Sequence, residues 1–320
     1  MTRQNPGPAT PLARPARLRP GSRVAVVAPS GPVPADRLEE GLAVLRDWGL
    51  EPVVGPHVRS THPELDYLAG TDADRAADLQ AACCDPSVEA VLCARGGFGA
   101  HRMVDLVDWA AIRAAGPKAF VGYSDITVLH EAFALRAGFA TLHGPMVATE
   151  TFLKDAPTRE HLRATLFEPE TVRTLGLPSA AALAPGRAEG VLYGGCVSLL
   201  AADTGTPGGR SHARGNLLVI EDTGEEPYRL DGILTRLLRS GALAGVAGVA
   251  CGSWQECGQY EKIRAVLADR FGPLGIPVVE ELGFGHGATA LTIPLGLPAV
   301  LDAPADGGRC TLTVQVPALL

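Results

Sequence analysis

From Arg23 onward the chain alternates short apolar runs with longer segments whose apolar positions recur at helical spacing. Val24 to Ala28, Pro52 to Val54, Ala90 to Cys93 and Ala119 to Val121 are strand-like. Ala35 to Trp48, Thr71 to Cys84, a segment from His101, and Asp125 to Ala137 are helix-like. This alternation predicts β-α-β units and a mostly parallel sheet covered by helices on both faces. Between about Thr149 and Glu189 the periodicity weakens and Pro157, Pro169, Pro178 and Pro185 intervene, which predicts a connection over the surface and a domain boundary within it. Beyond it, strands are expected at Glu189 to Tyr193, Asn216 to Ile220, Gly245 to Gly252 and Pro277 to Val279. Helices are expected after Gly194-Gly195 to Thr204, from Leu230 to Ser240 and from Tyr260 to Phe271. A strand-rich end follows from Ala288, where Cys310 to Val316 alternates in the manner of an edge strand. The expected fold class is α/β. A disordered tail over 1–20 is expected to precede an N-terminal domain over 21–155, whose mostly parallel sheet is flanked by helices; a linker over 156–188 leads to a C-terminal α/β or β-rich domain over 189–320.

Composition narrows the partners. The 320 residues are 46% apolar and 20% charged, in the range of globular proteins able to bury a full core. A formal net charge of −7 without clustered Lys and Arg argues against nucleic acid. Residues 1–20, rich in proline and arginine, lack the apolar run of a secretory signal. The longest apolar stretch, Ala242 to Cys251, is too short for a bilayer and is broken by glycines, so no membrane partner is expected. The 7 cysteines are odd in number and form no C-x-x-C pair, which fits buried free thiols in a reducing cytoplasm. No H-E-x-x-H, calcium loop or Gly-Lys-Ser/Thr phosphate loop occurs; the expectation is a protein without metal or cofactor.

Ligands of parallel sheets collect at the C-terminal ends of strands. Three loops leave such ends with glycine or polar residues: Pro29-Ser30-Gly31, Arg95-Gly96-Gly97-Phe98-Gly99, and the turn carrying Ser124 in Phe120-Val121-Gly122-Tyr123-Ser124-Asp125-Ile126-Thr127. Ser124 sits between a strand and a helix, where a hydroxyl is exposed beside unpaired backbone N–H groups. Two readings stand: a nucleophile, or a plain helix cap, since Ile126 replaces the second glycine of the G-x-S-x-G elbow. A serine nucleophile needs a base. His57, His62, His161 and His212 lie in polar or proline-flanked stretches and His130 in a helical run, while His143, before Gly144-Pro145, lines a site or packs. His286 differs, because Gly283-Phe284-Gly285-His286-Gly287 lets its backbone approach another element closely; a simple glycine-rich turn is the alternative. Glu221 ends the apolar run Leu217 to Ile220, where an acid can orient an imidazole, although strand-end acids are common.

These residues resemble the LD-carboxypeptidases of serine peptidase family S66, which include muramoyltetrapeptide carboxypeptidases and microcin C immunity-type peptidases. Five segments carry the resemblance in order over nearly the whole chain: Val26 to Gly31, Arg95 to Gly99, Gly122 to Asp125, Glu221-Asp222 with Pro227-Tyr228-Arg229, and Gly285-His286-Gly287. The resemblance implies Ser124 as nucleophile, His286 as base and Glu221 as its orienter, with an oxyanion hole from the N–H groups of Gly97 and Asp125. It implies a site at the junction of the two domains, a homodimer, and release of terminal D-alanine from cytoplasmic murein tetrapeptides. Arg95 and Gly96 are candidates for substrate contact, Arg95 through a bidentate bond to a carboxylate or, equally, by pinning its loop. In the microcin branch the substrate is a peptidyl or aminoacyl nucleotide, and Trp254 is a candidate for stacking on its base or else a core residue. Outside the family, a small-ligand binding protein and a dinucleotide-dependent oxidoreductase are the rivals; Pro29-Ser30-Gly31 in place of G-x-G-x-x-G disfavours the latter.

Overall fold

The computed structural model describes residues 10–206 and 208–320. Its strands in chain order are β1 (Arg23–Val27), β2 (Glu51–Val54), β3 (Ala90–Cys93), β4 (Ala119–Gly122), β5 (Thr141–His143), β6 (Thr174–Leu175), β7 (Ala181–Ala184), β8 (Gly186–Cys196), β9 (Asn216–Thr223), β10 (Gly248–Gln255), β11 (Val278–Glu280), β12 (Ile293–Leu295), β13 (Pro298–Ala303) and β14 (Thr311–Val314). They form two sheets, ordered β12-β5-β4-β3-β1-β2 and β6-β14-β13-β8-β9-β10-β11-β7. In the first sheet β1 to β5 are all parallel, as expected from the β-α-β pattern. In the second, β8 to β11 are parallel and antiparallel strands flank them.

Alternation along β1 shows why both faces of the first sheet are apolar. Val24 and Val26 pack in one cluster with Leu38, Leu42 and Leu45 of the helix Ala35–Asp47. Ala25 and Val27 point the other way, toward Leu79 of the helix Asp72–Cys84, Ile112 and Phe133. The first cluster continues into the second sheet through Leu192, Leu217, Val219 and Leu301, so one core joins both sheets. The far face of the second sheet is covered by the helices Val197–Ala202, Pro227–Ser240 and Tyr260–Phe271.

Several expectations are revised. Residues 156–167 form a helix instead of a surface connection, because Asp155 caps it by accepting from Thr158 N and Pro157 occupies the first turn, where a missing N–H costs nothing. Residues 10–20 are laid along the body. Leu12 N donates to Gly296 O, Arg17 N to Leu320 O and Leu18 N to Leu166 O, and Leu18 is buried, an apolar anchor that the surrounding prolines had obscured. The expectation for residues 1–9 lies outside the described residues. β14 alternates as predicted but is no edge, since β6 pairs with its outer side. Finally, β12 from the C-terminal half joins the first sheet, antiparallel to β5. Among the described residues no helix is long and apolar enough to cross a membrane.

Candidate active site

The three glycine-bearing loops converge beyond the C-terminal ends of β1, β3 and β4. Gly31 N donates to Gly96 O at 2.9 Å. The Asp125 carboxylate, buried, accepts from Ser30 Oγ at 2.6 Å and from Ala100 N at 2.8 Å, so each loop is tied to the other two. Burial pushes the Asp125 carboxyl above its ordinary value, against these hydrogen bonds. Sequence reasoning credited only the Asp125 N–H; the signal for its side chain was the polar residue at each strand end.

Ser124 sits at φ 64, left-handed backbone that non-glycine residues rarely adopt. Tyr123 before it is extended, and a short 3-10 turn, Ser124–Ile126, leads into the helix Thr127–Ala132. The turn is tight enough that a Cβ at Gly122 would lie 2.8 Å from Ile126 Cγ2. Neither helical start carries a side-chain cap bond, so the plain-cap reading of Ser124 does not hold. The glycine loop lies against the serine: a Cβ at Gly96 would stand 3.1 Å from Ser124 Cβ and 3.3 Å from its Oγ. Among the described residues no carbonyl accepts from the N–H of Gly97 or of Asp125. Arg95 Nη1 donates to Pro32 O at 2.8 Å, the loop-pinning contact.

Across the junction, Glu221 is fully buried in β9, which runs on to Thr223 because Asp222 is also anchored, accepting from Ser198 N at 2.8 Å and Thr223 N at 2.9 Å. His286 Nδ1 stands 2.6 Å from Glu221 Oε2. With the carboxylate ionised, Nδ1–H is the donor and Nε2 is left as a basic nitrogen. Burial opposes charge on both members, and each overcomes that for the other: Glu221 is held well below the usual carboxylate range and His286 above the usual imidazole value. The His286 ring packs on Tyr123, centroids 4.7 Å apart, which brings the imidazole against the residue preceding Ser124.

His143, at the end of β5, closes the back of this pair. Its Nε2 lies 3.7 Å from Glu221 Oε1, too far for a formed hydrogen bond. Trp254 packs in the apolar cluster under the helices Pro227–Ser240 and Tyr260–Phe271, with its Nε1 unpartnered among the described residues. A separate small cavity of about 20 Å³ behind the Ser124 turn is lined by Thr127, Glu131, Tyr193 and Arg210 and holds none of the candidate residues.

These features define a class, two-sheet α/β proteins with polar residues gathered at the ends of parallel strands. Residues 24–144 match the LD-carboxypeptidase N-terminal domain of peptidase family S66 and residues 189–301 its C-terminal domain; the chain belongs to this family. It is 65% identical over 96% of its length to a Streptomyces coelicolor protein named "Putative carboxypeptidase", of which 98% is covered. To the murein tetrapeptide carboxypeptidase of Pseudomonas aeruginosa it is 34% identical, covering 88% of this chain and 93% of that one. The solved muramoyltetrapeptide carboxypeptidase from Oxalobacter formigenes superposes with a TM-score of 0.78 at 29% identity, over 92% of this chain and 99% of the other.

Proposed function

We propose that the protein is a serine-type LD-carboxypeptidase that hydrolyses an L,D-peptide bond and releases terminal D-alanine from murein tetrapeptides, acting in the cytoplasm as a homodimer. The observation that carries this reading is the 2.6 Å Glu221–His286 bond beside the left-handed Ser124 turn. His286 Nε2 takes the Ser124 hydroxyl proton as Oγ attacks the scissile carbonyl, and Glu221 orients the ring and stabilises the imidazolium. The N–H groups of Gly97 and Asp125 receive the oxyanion. The imidazolium then protonates the leaving D-alanine amine, and water, deprotonated by His286, releases the acyl group from Ser124. In this reading residues 21–155 supply the nucleophile and 189–320 the acid and base, while Arg95 pins the glycine loop through Nη1 to Pro32 O and offers its remaining N–H groups to the substrate carboxylate. The nucleotide-peptide alternative has less support, because Trp254 is committed to an apolar cluster.

Mass spectrometry of UDP-muramoyl tetrapeptide incubated with wild-type protein and with Ser124→Ala tests the proposal. Loss of one alanine with the wild type alone is expected. Equal cleavage by Ser124→Ala overturns the nucleophile, and no cleavage by either overturns the substrate and directs the search to aminoacyl nucleotides.

A further inference from the structure

Glu221 presents two oxygens in a buried setting, and His286 accounts for one of them. Oε1 has no hydrogen-bond partner among the described residues, nor has either ring nitrogen of His143, and both side chains are fully buried. An unpartnered carboxylate oxygen in such surroundings is costly, and His143 Nε2 lies 3.7 Å from it. The ring is held in place. Its backbone is registered to Gly122 on β4 and Ile293 on β12, and its faces meet Phe284, Tyr123 and His130 at centroid distances of 5.7, 6.0 and 6.2 Å.

We propose that His143 is a positioning residue for the acid: as an Nε2–H donor it takes Glu221 Oε1 while His286 takes Oε2, so the carboxylate is clamped between one imidazole on β5 and one on the loop between β11 and β12. This rests on the hydrolytic reading of the Glu221–His286 pair. A shift of under about 1 Å brings the 3.7 Å approach into hydrogen-bond range.

The other groups facing the pair do not fill this role. Tyr123 is held neutral by burial, its pKa pushed up to about 12, and the Cys196 thiol is likewise pushed well up. His130, behind His143, is pushed by burial down to about 3, and its Nε2 is already engaged by Gly122 O at 2.8 Å. Asp222 is a second acid and offers no donor to the carboxylate. A donor on Oε1 disperses the charge of Glu221; removing it concentrates that charge on His286 and makes His286 a stronger base.

The test is imidazole NMR. In wild-type protein the ¹⁵N shifts of His143 must show the Nε2–H tautomer; an Nδ1–H ring, with a bare Nε2 facing the carboxylate, overturns the proposal without any variant. In His143→Phe the His286 pKa, read from its own resonances, is expected to rise by about 1 pH unit, and the acid limb of kcat/KM to move with it. His143→Gln, whose amide can donate, is expected to restore the wild-type value. An unchanged His286 pKa in folded His143→Phe overturns the clamp. Because the NMR readings need no turnover, a protein inactive on murein peptides leaves this result interpretable and condemns only the hydrolytic reading.

Discussion

Gly285 and Glu221 stand so close that a Cβ on residue 285 would lie 2.5 Å from the carboxylate oxygen that holds His286. Gly285 also adopts φ 97. Gly285→Ala is therefore expected to push Glu221 off its ring partner and strain the loop together. Activity should fall by about 100-fold or more, with a stability loss of about 1–3 kcal/mol, read by kcat/KM and urea unfolding on the same preparation. Wild-type kinetics in this variant would show that the pair does not set the rate.

The charge on Glu221 holds the His286 pKa above 6.5. Because the base must be neutral to accept the serine proton, kcat/KM should fall on the acid side of that raised value. Glu221→Gln removes the charge, so the acid limb is expected at lower pH than in the wild type, while kcat drops by about 10³–10⁴-fold through loss of the ring's orientation. A pH-rate profile of both proteins decides it; a limb that stays in place separates Glu221 from the titrating group.

Asp125 offers a test of loop positioning. Asp125→Ala leaves the Ser30 hydroxyl and the Ala100 N–H without their acceptor in a closed space, at about 2–4 kcal/mol. Asp125→Asn keeps an oxygen able to accept from both and is expected to recover most of that stability. Paired urea melts measure the difference. Equal loss in the two variants would mean that the negative charge, rather than the acceptor geometry, holds the loops.

A further consequence concerns acid. His130 is fully buried and neutral, donating Nε2–H to Gly122 O and accepting from Thr141 Oγ1, and burial takes its pKa from 6.5 down to about 3. Between those values the unfolded chain binds a proton there and the folded chain does not. Stability from this group is thus complete above 6.5 and is lost as pH falls toward 3. The slope is at most about 1.4 kcal/mol per pH unit. Between about pH 7 and about pH 5, wild-type protein should lose about 2 kcal/mol more than His130→Gln. Parallel losses in chemical denaturation would exclude His130 as the acid-labile group.

The element order was legible because nearly every apolar run is buried on a sheet or under a helix. The strand Ala90–Cys93 and the helix Tyr260–Phe271 appear with the expected bounds. Proline misled the reading of 156–167, since composition does not distinguish a breaker from a first-turn residue. Glycine did the same in β8, where Gly194 lies against the Val219 backbone and Gly195 against the Thr127 side chain, and the strand continues to Cys196. At the site, the strand-end acid and the glycine-flanked histidine are patterns a sequence can display, and they meet at hydrogen-bond distance. What faces a buried imidazole is not such a pattern. His143 acquires its neighbour only when β5 and β9, far apart in the chain, pack across the junction.

The strand exchange through β12 gives the junction a mechanical character. His286 lies between β11, in the second sheet, and β12, hydrogen-bonded into the first, so the loop that carries it is moored at both ends to different bodies. Swinging the two sheets apart would mean unzipping β12 from β5, and the arrangement therefore behaves as a braced joint rather than a hinge. It also orders assembly. A fragment ending near residue 155 would leave β5 as a bare, ladder-competent edge with His143 uncovered, and its first sheet would stay unfinished until the far end of the chain arrived to close it.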